Sequence, residues 1–122
     1  MIGQFVAVLF LARELAHREH LRVLGPGSYA AHMALGDFYS SVGDLADKLT
    51  EAYQGRTGEI VEIEFLSVPP KQEIVPTLES QLKWLEDNRY QAVSEDDSPL
   101  QNIVDEVCAL YLSTLYKLKN LK

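Results

Sequence analysis

The chain contains one cysteine among 122 residues, so no internal disulfide can form and a reducing compartment is the default. Cys108 falls inside an apolar helical pattern, which marks it as a core residue rather than a nucleophile. Basic residues are also scarce, 11 Lys and Arg against 18 Asp and Glu, for a formal net charge of −7. Nucleic-acid binding through bulk charge needs clustered cations, and this balance speaks against it. The one basic cluster, Lys117, Lys119 and Lys122, suits the negative end of a helix dipole. No apolar run reaches membrane-spanning length. MIGQFVAVLFLA has no basic residue ahead of it and breaks at Arg13 and Glu14, so it reads as a first buried helix and not as an export signal. Gly-rich phosphate loops and nucleophile motifs do not occur, nor do the two Glu-x-x-His motifs that a one-bundle di-iron site needs. The chain shows no repeat and no low-complexity tract.

What is present is helical periodicity. Hydrophobic residues make up 47% of the chain, enough for a single domain, residues 1–122, with one core. Phe5, Val8, Leu9, Ala12, Leu15 and Ala16 recur at three- and four-residue spacing and predict a helix from residue 2 to about 23. Gly25-Pro26-Gly27 ends it. A second helix is expected from Ser28, as N-cap, to about Gln54 before Gly55, with Leu35, Phe38, Val42, Leu45 and Leu49 as its seam.

Residues 55–72 read as an extended connection, with Pro69-Pro70 excluding helix and Val61, Ile63 and Phe65 forming a packed face. Such a segment spans up to roughly 60 Å, enough to run the length of a bundle and make the next helix parallel to the second. A third helix is expected from about Pro76 to Val93, with Leu78, Leu82 and Leu85 inward. A fourth starts with Ser98 as N-cap, Pro99 as first helical residue and Gln101 closing a capping box. The expected fold is all-α, a four-helix bundle of ferritin-like topology with a long crossover between helices 2 and 3.

The stretch from His20 to Glu51 carries the metal-type side chains His20, His32, Asp47 and Glu51, together with the small residues Gly36, Ser40 and Gly43. On one helix, His32 and Asp47 lie within about 60° of each other but roughly 22 Å apart along the axis. One chain therefore cannot bring them to one ion. An antiparallel second copy, with a two-fold axis between Tyr39 and Ser40, sets His32 against Asp47 and Gly36 against Gly43. Small residues permit such a close crossing. Two histidines and two carboxylates suit iron, manganese or zinc. The plainer alternative is an interface histidine beside a solvated acidic face. His17, one turn before His20, is an alternative ligand.

His20-x11-His32 followed by Asp47-x3-Glu51 resembles the ferroxidase signature of the Dps family, the mini-ferritins of starved bacteria. Gly25-Pro26-x-x-Tyr29-x-x-His32 resembles that family's turn into its second helix. The resemblance implies an iron site at a two-fold dimer interface within a homo-oligomer, with His20 and His32 from one subunit and Asp47 and Glu51 from the other. The family's remaining aspartate falls four residues after His32, where this chain has Gly36. The lysine-rich tail that some members use to hold DNA is absent. QNIVDEV and TLYKLKNLK resemble small ferritin-like proteins of bacteriophages. Two expectations follow. One is a cytoplasmic protein that oxidises or sequesters iron. The other is a non-enzymatic binding module or inhibitor, with the same fold but no metal site, acting on a host protein or a small molecule.

Overall fold

The computed structural model describes residues 1–68 and 72–122. Four helices account for most of them: α1 (Ile2–Arg22), α2 (Ser28–Thr57), α3 (Ile74–Ala92) and α4 (Ser98–Asn120). Among the described residues no strand forms, and no helix is long and apolar enough to cross a membrane.

Each helix buries the stripe that its periodicity marks. α1 contributes Phe5, Leu9, Ala12 and Ala16, and α2 contributes Leu35, Phe38, Val42 and Leu49. Leu78, Leu82 and Leu85 come from α3; Ile103, Val107, Tyr111 and Leu115 come from α4. Phe38 and Tyr111 meet edge to face at 5.1 Å near the middle of this core. The Tyr111 hydroxyl donates to Gln81 Oε1 at 3.0 Å, so its burial leaves no polar group unpaired. Cys108 is buried as expected, and burial pushes its thiol up from the ordinary range.

α1 packs on α2 and α3, and α4 packs on the same two, so α1 and α4 lie across one diagonal and α2 and α3 across the other. Short turns make α1 antiparallel to α2 and α3 antiparallel to α4. The crossover after α2 fixes the remaining direction. It begins beside the start of α1, where a Cβ on Gly3 would collide with the carbonyl oxygen of Glu62. It then follows α1 to its far end, where Leu66 and Val68 share a cavity with Leu15 and Arg22. α3 therefore starts at the opposite end from where α2 stops, and the two run parallel. Ion pairs agree with this order. Arg56 near the end of α2 meets Asp97 before α4 at 3.0 Å, and Lys119 near the end of α4 meets Glu79 in α3 at 2.6 Å.

Several boundaries differ from the sequence expectation. α2 continues past Gly55 to Thr57 and stops at Gly58, whose φ of 73° is the left-handed conformation that glycine adopts at low cost. α2 is preceded by Gly27, not capped by the Ser28 side chain, and α3 begins two residues before Pro76. The cap of α4 is Asp97, one residue before Ser98, and its carboxylate accepts from Leu100 N–H. Gln101 does not close a capping box. Its amide donates to the carbonyls of Val93 and Ser94, and its Oε1 accepts from Arg89, which ties the α3–α4 turn together. In the crossover, Val61 and Ile63 are half-buried as the alternation predicts, but Phe65 turns fully outward at 104% relative exposure. Pro69 and Pro70, expected to exclude helix, lie outside the described residues.

Candidate functional site

All three histidines of the chain gather where the end of α1 meets the start of α2. The Gly25-Pro26-Gly27 turn folds the two helices back on each other, which brings residues twelve apart in sequence into contact. The rings of His20 and His32 stack with centroids 3.7 Å apart and planes 20° apart. Each also reaches the other's main chain: His20 Nδ1 lies 2.7 Å from the His32 carbonyl, and His32 Nδ1 lies 2.8 Å from the His20 carbonyl. A carbonyl oxygen only accepts, so both Nδ1 atoms donate, and both Nε2 atoms are left outside these bonds.

Gly36 lies one turn after His32 and faces the same cluster. A Cβ at Gly36 would sit 3.2 Å from His20 Cε1 and 3.3 Å from His20 Nδ1, closer than side chains ordinarily pack. The space beside Gly36 is thus occupied by the His20 ring. Gly43, further along the same face of α2, makes room for Arg13 in the same way; a Cβ there would sit 3.1 Å from Arg13 Cδ. The sequence pattern sets these glycines against a second copy of α2. The structure shows them admitting α1 side chains of their own chain, the His20 ring at Gly36 and the Arg13 side chain at Gly43.

Two tyrosines complete the cluster; the sequence reading placed Tyr29 in a turn motif and Tyr39 at a two-fold axis, and gave neither ring a place among the histidines. Tyr39 stacks on His17 at 4.2 Å and meets His20 edge-on at 5.3 Å; Tyr29 flanks His32 at 6.4 Å. The signal was available in the spacing. Tyr39 is seven residues after His32 and shares its helix face, while His17 and His20 are one turn apart on α1. The partner of His32 is His20, and His17 is taken up by Tyr39.

Asp47 and Glu51 stand elsewhere. Both are exposed on the second half of α2, and neither makes a hydrogen bond or ion pair among the described residues. They lie fifteen and nineteen residues beyond His32 on one helix, more than roughly 20 Å along the axis at about 1.5 Å per residue. Within the chain, the structure brings His20 and His32 together and leaves the carboxylates apart from them. Among the described residues no three His, Cys, Asp or Glu side chains form a metal-holding group. Bonds from imidazole to metal lie in the ring plane, so two stacked rings share one ion only by turning apart.

The profile of a family of unknown function, DUF5856, matches residues 24–118. The chain belongs to this family. No curated protein and no solved structure matches it. The matched stretch takes in α2, α3 and α4 with His32, Gly36, Asp47 and Glu51. α1, with His17 and His20, precedes it. The α1 half of the histidine pair therefore stands outside the stretch that carries the family match.

Proposed function

We propose that this chain is a ferritin-like bundle of the Dps type that binds iron between two copies of itself. The observation that carries this reading is the paired bonding of His20 and His32. A histidine that ligates a metal ordinarily donates its other ring N–H to a carbonyl or carboxylate, which fixes the tautomer and aims the free nitrogen. Both histidines do so here, through Nδ1, and each keeps Nε2 for a ligand, with the stacked rings turning apart to share one ion. Asp47 and Glu51 are exposed and uncommitted, as carboxylates that complete a site on another copy need to be. The donor set suits iron, and also zinc or manganese. Fe(II) held there would give one electron to dioxygen or peroxide and be kept as the ferric product; the chain's own residues would bind and position the ion. The helix order, with its single long crossover from α2 to parallel α3, supports the ferritin-like assignment. The single cysteine supports a reducing cytoplasmic location.

Anaerobic Fe(II) titration followed by oxidant tests this. The wild type is expected to develop ferric absorbance, and His32→Ala and Asp47→Ala are each expected to abolish it. A wild type that neither binds nor oxidises iron removes the metal function.

A second reading is favoured by Gly36. The His20 ring fills the space beside it, and His20 and His32 satisfy each other as a clamp between α1 and α2. On this reading the bundle is a non-enzymatic binding module, and its net charge of −7 suits a basic-surfaced protein partner. Recovery of metal-free protein in a stoichiometric complex with such a partner, undisturbed by His32→Ala, supports it over the first.

A further inference from the structure

The crossover leaves a knob beside a socket. Backbone N–H groups from Glu62 to Val68 make no hydrogen bond among the described residues, and Phe65 projects its whole ring into solvent. Phe65 forms one wall of a cleft of about 440 Å³ whose other walls include Ala7, Phe10 and Leu11. Phe10 is itself an exposed aromatic at 42%. Arg13, Glu14 and Glu64 also line it, and Glu14 is paired with Arg18. Arg13 and Glu64 make no ion pair among the described residues, although they are opposite in sign and line one cleft. The Arg13 side chain passes beside Gly43 of α2, up to its guanidinium carbon.

A projection next to a matching recess is self-complementary under two-fold rotation: each copy's projection enters the other's recess, and each rim charge meets its opposite. We propose that a second copy of this chain docks here. Phe65 of each copy enters the cleft of the other against Phe10, and Arg13 faces Glu64 of the partner subunit. Burying a fully exposed aromatic in a recess is the usual form of an interface hot spot, and the ring carries little conformational entropy to lose. The unpaired charges on the rim fix the register. This inference shares with the proposed function only the need for two copies, and it uses neither the histidines nor a metal.

Native mass of the metal-free protein by light scattering tests it, so that iron-bridged pairing does not contribute, with circular dichroism to confirm that each variant is folded. The wild type is expected to be a dimer at tens of micromolar, and Phe65→Glu is expected to weaken association by at least about 100-fold, leaving monomer. Arg13→Glu alone and Glu64→Arg alone each set like charges across the two-fold and are expected to be monomers. Mixing these two variants restores both attractive contacts and is expected to yield a one-to-one heterodimer, which no effect within a single chain can produce. A monomeric wild type overturns the inference. So does a Phe65→Glu protein of unchanged mass, or a mixture that stays monomeric. Failure of iron binding, by contrast, leaves all of these masses as predicted and bears only on the metal reading.

Discussion

Gly36 shows how much one missing side chain can decide. Its bare Cα lets the His20 ring lie flat on His32, and the ring then reaches the His32 carbonyl. In Gly36→Ala the new Cβ presses the ring by a few tenths of an ångström, a small loss. Gly36→Leu has no room beside the ring and breaks the reciprocal bonds. We expect the leucine variant to lose about 1–3 kcal/mol of unfolding free energy in urea, and to lose clearly less in a His20→Ala background, where the obstruction is gone. Equal losses in both backgrounds would show that Gly36 serves some contact other than His20.

Tyr111 makes a second residue-scale prediction. Burial holds its hydroxyl far above the ordinary value of 10.0. The folded state keeps this proton where the unfolded chain releases it. Stability from this group is therefore complete below about pH 10 and falls as pH rises further, by about 1.4 kcal/mol per pH unit. Tyr111→Phe should lose about 1 kcal/mol at neutral pH, because the Gln81 bond is gone, and should flatten the alkaline limb. A limb of unchanged slope in the phenylalanine variant would assign base unfolding to other groups.

At the scale of the element, two helix ends carry separable contributions. Gly58 ends α2 with φ of 73°, and a Cβ there would meet nothing within 4 Å. Gly58→Ala thus isolates backbone strain from packing, and we expect a loss of about 1 kcal/mol with no change in spectra of the folded state. The start of α4 rests on Asp97. Its bond with Arg56 is the chief cause that lowers its carboxyl below the ordinary range, with a further contribution from Leu100 N–H. A carboxylate so lowered stabilises the fold above its unfolded value, and that contribution disappears as pH falls through the folded one. Asp97→Asn keeps an acceptor for the cap and loses the charge, whereas Asp97→Ala loses both. The order of melting temperatures should be wild type, then Asn, then Ala. The effect of the pair alone should be modest, since an exposed ion pair is well screened. Only the wild type should lose stability by this route in acid.

At the scale of the whole molecule, the crossover sets the topology. Sixteen residues separate Thr57 from Ile74, numbers 58 to 73, and the described ones as far as Val68 run along α1 toward the far end of the bundle. α1 with its 21 residues is about 32 Å long. Removing eight residues, 59–66, leaves a connection that reaches at most about 28 Å, too short for the parallel α3. That deletion should abolish cooperative unfolding. Inserting six Gly and Ser residues after Leu66 should cost about 1 kcal/mol or less, because loop closure grows slowly with length. Cooperative melting of the deletion variant would show that α3 can pack in another direction.

The four helices, their inward faces and the long connection were legible in the sequence because each is a local pattern: three-four spacing, Gly25-Pro26-Gly27, alternating Val61 and Ile63. The choice of His20, His32, Asp47 and Glu51 was a matter of residue type and spacing, and spacing alone correctly separated His32 from Asp47 within one chain. Tertiary structure decided what local patterns do not contain. The partner of Gly36 is an imidazole on another helix, the cap of α4 follows from a guanidinium at the end of α2, and Gln101 is drawn inward by the α3–α4 turn. Phe65 continues the alternation of its segment yet faces outward, because burial depends on whether another surface stands opposite, and no strand pattern specifies that. Periodicity determined which residues form helices and which faces turn inward. Only the packing of α1 on α2 determined that the small residues of α2 serve the chain's own histidine and arginine, since helix contact is set by side chains far apart in sequence.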